Sequence, residues 1–404
     1  MKVKNLQIKK SGKRVILEAT LEFLSGREKD IFLSIPKEYS HFVSDSYDSF
    51  LASILVPCMK FKEDIVIVGE ISSEFLASVR NVMLQLEKWN LGLSQVSIKA
   101  NKVSKKEAKR LTKIKNSGLF FSGGVDSFYT FLKNKKEEKS KINHFIFVLG
   151  FDIRLEDKEM FAKVFRNIKT IAKKEGIKLI DVKTNIRDVL DKYTEWDYSH
   201  GSAMAFISMA LRNGFSKIYI SGGLEAEYAP KRPYGTHPEL DPLWSTNDLR
   251  FIHIGTDATR MQKIMKYVSK SKVALKYLRV CWRGRKGQFN CGICEKCMRT
   301  MLSLYSAGVL HKCETLPKSI DKEILSNLVV PRKFFRYYEE NLNYLKKNKS
   351  NDSLIPAIEK CLERNSNPNR FKLKVVEFKE FLGLLDARYL NRRFFYFLSK
   401  WVYI

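Results

Sequence analysis

The chain has 404 residues, 44% of them hydrophobic, and carries a net charge of +29; it has room for roughly two to three domains with a sizeable core. No apolar run approaches the ~18 residues of a membrane span. The first ten residues alternate like a strand rather than forming the apolar core of a secretion signal, so the cytoplasm is the expected compartment. The charge is spread over Lys102–Lys115, Lys133–Lys141, Lys263–Lys276 and Lys346–Lys349, which suits a nucleotide, RNA or another anionic partner.

Residues 1–112 read as an N-terminal α+β domain. Alternation at Val15–Phe23 and Asp30–Ile35 predicts strands, apolar spacing at 46–55 and 74–89 predicts helices, and 95–100 could close a small sheet. Trp89 reads as core. A charged linker at 101–110 follows. Residues 113–280 then alternate strand and helix: strands at 119–121, 143–149, 178–181 and 217–220, helices after residue 127, at 156–175 and at 203–212. That alternation predicts an α/β domain whose parallel sheet carries helices on both faces. Its ligand would lie at the carboxyl ends of the strands, which finish in Ser122, Gly150, Asp152, Thr184, Ser221 and Gly222. Residues 281–404 open with a cysteine cluster and continue as helices at 298–307, 334–347, 355–364 and 378–384. The basic, aromatic end at 392–404 reads as a docked helix, with a membrane-surface contact as the sharper alternative.

The most informative stretch is Ser122-Gly123-Gly124-Val125-Asp126-Ser127. It joins a buried strand to a helix start, where backbone N–H groups and the helix dipole favour an anion. Two glycines let that anion approach the backbone and two hydroxyls add hydrogen bonds. Asp126 repels bare phosphate and so points to a shared Mg²⁺. These residues form a pyrophosphate cradle, and no Gly-Lys-Ser/Thr of a Walker loop follows.

Seven cysteines are present. Cys281, Cys291, Cys294 and Cys297 are spaced C-x9-C-x2-C-x2-C, and four thiolates suit a closed, structural tetrahedral Zn²⁺. A [4Fe–4S] cluster takes the same ligands.

The hexapeptide resembles the pyrophosphate loop of the N-type ATP pyrophosphatases, and with the Cys-Gly-x-Cys-x-x-Cys-x-Arg pattern ending at Arg299 it looks like the 7-cyano-7-deazaguanine synthase family over about residues 117–305. The resemblance implies a Rossmann-like, adenine nucleotide alpha hydrolase-like fold with a zinc-stapled helical region. It implies Ser122, Gly123, Gly124, Val125, Asp126, Ser127, Gly150 and Asp152 around ATP and Mg²⁺, with Ser122, Asp126 and Arg260 catalytic and Lys263 in a similar role. His200, Ser221, Glu225 and His237 would face the acceptor. This chain has Tyr198-Ser-His-Gly-Ser-Ala203 and Lys231–Asp241 where that family has acid-pocket segments, which implies an altered acceptor.

The expected reaction is adenylation of a carboxylate or amide oxygen by ATP with release of pyrophosphate. Ammonia, free or from a donor, would then attack in a ligase forming C–N bonds. A small-molecule acid is therefore the expected substrate, and a homodimer is left open. The alternatives are an RNA-modifying enzyme of the tRNA-thiolation type, with Cys58 and Cys313 as candidate thiols, and a non-catalytic ATP-binding partner subunit.

Overall fold

The computed structural model describes residues 1–104, 116–138, 141–228, 232–281 and 289–366. The linker beyond residue 104, the helix expected at 378–384 and the basic end at 392–404 lie outside them. In chain order the strands are β1 (Lys2–Ser11), β2 (Arg14–Glu22), β3 (Glu28–Pro36), β4 (Ile65–Ser72), β5 (Ile98–Ser104), β6 (Ser117–Phe120), β7 (His144–Leu149), β8 (Lys178–Thr184), β9 (Lys217–Ser221) and β10 (Arg250–Ile254). The helices are α1 (Asp48–Phe61), α2 (Ser73–Lys88), α3 (Val125–Glu137), α4 (Lys158–Glu175), α5 (Arg187–Tyr193), α6 (Trp196–Ala210), α7 (Arg260–Lys266), α8 (Lys272–Tyr277), α9 (Glu295–Ser306), α10 (Lys322–Asn327), α11 (Phe335–Asn348) and α12 (Ile355–Ser366).

The chain divides into two compact units, the first made of Met1–Phe121, Glu137–Phe161 and Ala172–Asp257, the second of Ser122–Lys136, Ala162–Ile171 and Ala258–Ile404. The first unit is an α/β fold. Its described strands form one mostly parallel sheet in the order β10-β9-β6-β7-β8-β3-β2-β1-β4-β5. The boundary expected near residue 112 falls outside the described residues, and strands from both sides of it share this sheet. They join where β3 pairs antiparallel with β8, Leu33 opposite Thr184 and Ser34 opposite Lys183.

Period-2 patterning explains the join. Val15, Leu17, Ala19 and Leu21 on β2 and Ile31, Leu33 and Ile35 on β3 are buried in the same apolar core as Ile146, Val148, Ile180 and Val182 on β7 and β8. The core continues through α1 and α6, where Phe50 and Phe206 meet with ring centroids 5.3 Å apart. Fully buried Asp48 accepts from the Ser72 N–H at 2.8 Å and the Ser72 hydroxyl at 2.7 Å. It also accepts from Arg212 at 2.7 Å, so this buried charge is paired and hydrogen-bonded as its desolvation requires.

Within the parallel block β6 lies between β9 and β7, so the winding direction reverses there. From β6 the chain passes through Phe121 directly into Ser122. At the opposite end of β7, His144 is buried against Tyr39, Phe42 and Phe215. Its Nδ1 donates to Asn143 Oδ1 at 2.7 Å, and its buried Nε2 has no hydrogen-bond partner among the described residues. Burial, with a smaller push from Lys178, lowers its pKa to about 4. A histidine kept neutral in the fold contributes stability that is complete above its unfolded pKa, near 6.5, and is lost as pH falls toward 4. Unfolding melts at pH 7 and pH 5 should therefore show an acid-side loss of about 2 kcal/mol that His144→Phe removes; an unchanged loss in the variant would assign the acid sensitivity elsewhere.

Candidate functional site

In the second unit, residues 122–124 turn the chain into α3. Gly123 has φ +76° and Gly150, which follows β7 in the first unit, has φ +106°, a region glycine enters without a steric penalty. The Gly124 N–H donates to Ser122 Oγ at 3.3 Å, and Ser127 Oγ donates to the Gly124 carbonyl at 3.1 Å. The Arg279 N–H donates to the Gly123 carbonyl at 2.8 Å. Ser122 is exposed, and Val125 opens the helix. The first amides of α3 lack intrahelical acceptors, as at any helix start.

The Asp126 carboxylate is clamped from α7. Lys263 Nζ donates to Oδ1 at 2.9 Å and Arg260 Nη1 lies 3.4 Å from Oδ2. A Thr259 capping box with Gln262 starts α7, and the i, i+3 spacing puts Arg260 and Lys263 on one face. Lys263 is buried, its ammonium 5.5 Å from the Tyr129 ring centroid. Burial pulls the Asp126 carboxyl upward, but Lys263 and Arg260 outweigh it and bring its pKa down to about 2. The loop thus starts with its own acidic group neutralised. Arg260 Nη2 donates to Thr300 Oγ1 at 3.0 Å.

The four cysteines converge in the same unit. Their Sγ atoms all lie within 4.8 Å of one another, with Cys281–Cys294 and Cys291–Cys297 each at 3.9 Å. This group could hold a metal ion. Cys294 caps α9 and Cys297 lies in its first turn. Gly292, at φ +74°, turns the chain between ligands, and a Cβ there would fall 2.5 Å from Pro317. Asn290 fixes the ligand strand: its Oδ1 accepts from the Val280 and Cys281 N–H groups at 2.8 and 3.1 Å, and its Nδ2 donates to the Leu278 carbonyl at 2.9 Å. Hydrogen bonds from the other three cysteines push the Cys281 thiol strongly down, while Cys297 is pushed up. Four thiolates so close need a cation before all can ionise.

The other expected residues belong to the first unit. Asp152 is exposed. The bend at Gly150 is enforced, since a Cβ there would fall 1.9 Å from the Thr184 carbonyl oxygen. His200 is half-buried, with Nδ1 2.9 Å from the Trp196 carbonyl oxygen and Nε2 3.0 Å from Thr236 Oγ1. His237 accepts from the Glu239 N–H at 3.1 Å and packs on Trp89. Both imidazoles brace the 234–240 turn. Gly201 lets that turn approach α6, since a Cβ there would fall 1.7 Å from the Gly235 carbonyl oxygen. Glu225 is buried, and buried Ser221 Oγ has no hydrogen-bond partner among the described residues.

Two features escape a reading of the sequence. One is the dominant contact of Asp126 with Lys263, 137 positions away. The other is a buried pair in the first unit, Asp241 Oδ2 and His253 Nδ1 at 2.6 Å. Alternation at 250–254 was the available signal for β10, which carries His253, but nothing local links it to Asp241.

No family model, no curated protein and no solved structure matches the chain. No helix among the described residues is long and apolar enough to cross a membrane.

Proposed function

We propose that the chain is an ATP-dependent ligase of the pyrophosphate-loop type. ATP binds with its phosphates on Ser122–Ser127, an acceptor carboxylate or amide oxygen takes AMP, and ammonia or another nucleophile displaces it. The observation that carries this reading is the Gly123-Gly124 turn entering α3 with Asp126 clamped by Lys263 and Arg260. First-turn amides face the anion, and a buried ammonium and guanidinium add charge where the departing pyrophosphate gains it, so they act most strongly in the transition state. In this reading the first unit is the Rossmann-like, adenine nucleotide alpha hydrolase-like sheet.

Mg²⁺ fits Asp126. Oδ2 is the less tightly held oxygen, and magnesium ordinarily takes one or two carboxylates while the substrate phosphates and water supply the rest. When bound it would neutralise phosphate charge. The four thiols suit Zn²⁺: tetrahedral ligands at its usual Zn–S length lie ~3.8 Å apart, near the two 3.9 Å pairs. A [4Fe–4S] cluster gives each thiolate its own iron and needs a wider cage than sulfurs all within 4.8 Å. With four protein ligands the zinc would be structural.

The thiolation alternative needs a reactive thiol. Cys58 is fully buried, which pushes it up to about 12, and Cys313 is also buried. Ligase chemistry is therefore favoured. The test is product analysis: ATP, magnesium, ammonium and a panel of small acids should yield AMP and pyrophosphate. ADP and phosphate would reject adenylation, and binding without turnover across the panel would favour the non-catalytic partner subunit.

A further inference from the structure

The loop and the thiol site share two physical connections inside the second unit. The first runs along the chain ahead of Cys281. Asn290, next to Cys291, holds the Val280 and Cys281 amides and the Leu278 carbonyl. The residue between, Arg279, donates its N–H to the Gly123 carbonyl at 2.8 Å. A Cβ on Gly124 would fall 3.6 Å from the Arg279 carbonyl oxygen, so this segment forms one wall of the glycine turn. The second runs along α9, whose N-cap and first turn carry Cys294 and Cys297. The Thr300 hydroxyl commits its proton to the Lys296 carbonyl at 2.7 Å. Its oxygen therefore presents lone pairs to Arg260 Nη2 at 3.0 Å, and Arg260 in turn faces Asp126.

We propose that Asn290 and Thr300 are positioning residues through which the four-thiol site sets the geometry of the phosphate loop, so that metal occupancy and polyphosphate affinity are linked. A metal drawing the four sulfurs together fixes both the 278–281 segment and the start of α9, and each fixes one side of the loop: the Gly123 carbonyl on one, the Arg260–Asp126 pair on the other. The linkage is reciprocal, because any factor by which metal tightens pyrophosphate is the factor by which pyrophosphate tightens metal. The inference rests on the phosphate-binding reading of Ser122–Ser127.

The test uses the full chain, metal-loaded and chelator-stripped, with inorganic pyrophosphate as the probe. Calorimetry reads affinity, and hydrogen exchange at the Arg279 amide reads loop attachment without reference to activity. Stripping should weaken pyrophosphate about tenfold or more and speed exchange at Arg279. Thr300→Val, which keeps shape and loses the acceptor, should weaken pyrophosphate about fivefold with the metal complement intact, and Thr300→Ser should restore it. A stripped, still folded chain with unchanged affinity and unchanged Arg279 protection would overturn the linkage. If stripping unfolds the chain, Thr300→Val decides, and wild-type affinity in that variant overturns the proposal. If pyrophosphate binds neither form while Arg279 loses protection on stripping, the phosphate reading of the loop fails and the mechanical linkage stands.

Discussion

Serine in place of Cys297 will cost the four-thiol group its capacity to hold a metal ion and lower the stability of the second unit by about 4 kcal/mol or more. The thiols sit where α9 begins and where the 278–281 segment ends, so a metal held there would tie the two together. Metal binding of this kind is folding free energy, because no preformed site exists in the unfolded chain. Serine is a poor ligand for a soft-leaning ion and leaves three thiols crowded without their cation. Thermal melts with metal analysis on the same samples check this. Cys361→Ala is the control: Cys361 is buried on α12 and is not one of the four clustered thiols, and its loss should cost only about 1 kcal/mol with full metal content. Equal losses in the two variants would mean that the cluster has no special role in stability.

Lys263→Met will reduce pyrophosphate release by about 100-fold or more, with a smaller change in folding. Methionine keeps most of the buried stem beside Tyr129 and removes the ammonium. Charge placed in a buried site ahead of the reaction is worth a few kcal/mol in the transition state, and Asp126 loses its closest partner. Because the Asp126 side chain is 29% exposed, the stability cost should stay near 2 kcal/mol, below that of a fully buried broken pair. The variant also shifts acid behaviour. The depressed carboxyl contributes stability that is present above pH ~4 and fades as pH falls through about 2; without Lys263 the folded-state carboxyl titrates higher, so this contribution is smaller and is gone at a higher pH. Single-turnover product release and acid titration of the fold, measured on the same variant, separate the two effects. Wild-type turnover would remove Lys263 from the machinery.

The sequence was most legible where local chemistry decides structure. Val15, Leu17, Ala19 and Leu21 alternate because β2 has one buried face, and Ser122–Ser127 announces its turn through glycine and hydroxyl chemistry alone. It was less legible where tertiary packing overrides local signals. Apolar spacing marked the first helix only to residue 55, yet α1 runs to Phe61 with Pro57, ordinarily a helix breaker, inside it and nearly all its sides buried. Gly69 interrupts the strand pattern at 65–72; a Cβ there would fall 2.1 Å from the Tyr47 ring, so the glycine admits that ring and β4 continues. The sequence pattern delayed the helix through His200 and Gly201 to residue 203, whereas α6 begins at Trp196. The contacts of His200 with Thr236 and of His237 with Trp89 cannot be read from spacing either. Pairings such as β3 with β8 and Asp126 with Lys263 join residues more than a hundred positions apart, and no local pattern encodes them.

In the proposed ligase a triphosphate rests on the glycine turn ahead of α3. Calorimetric titration of ATP into the metal-loaded full chain, with magnesium present, reads that contact without reference to turnover. It should show one saturable site per chain that inorganic pyrophosphate competes for and that Lys263→Met weakens by about tenfold or more. No heat of binding at millimolar ATP, or binding that pyrophosphate and Lys263→Met leave untouched, would contradict it.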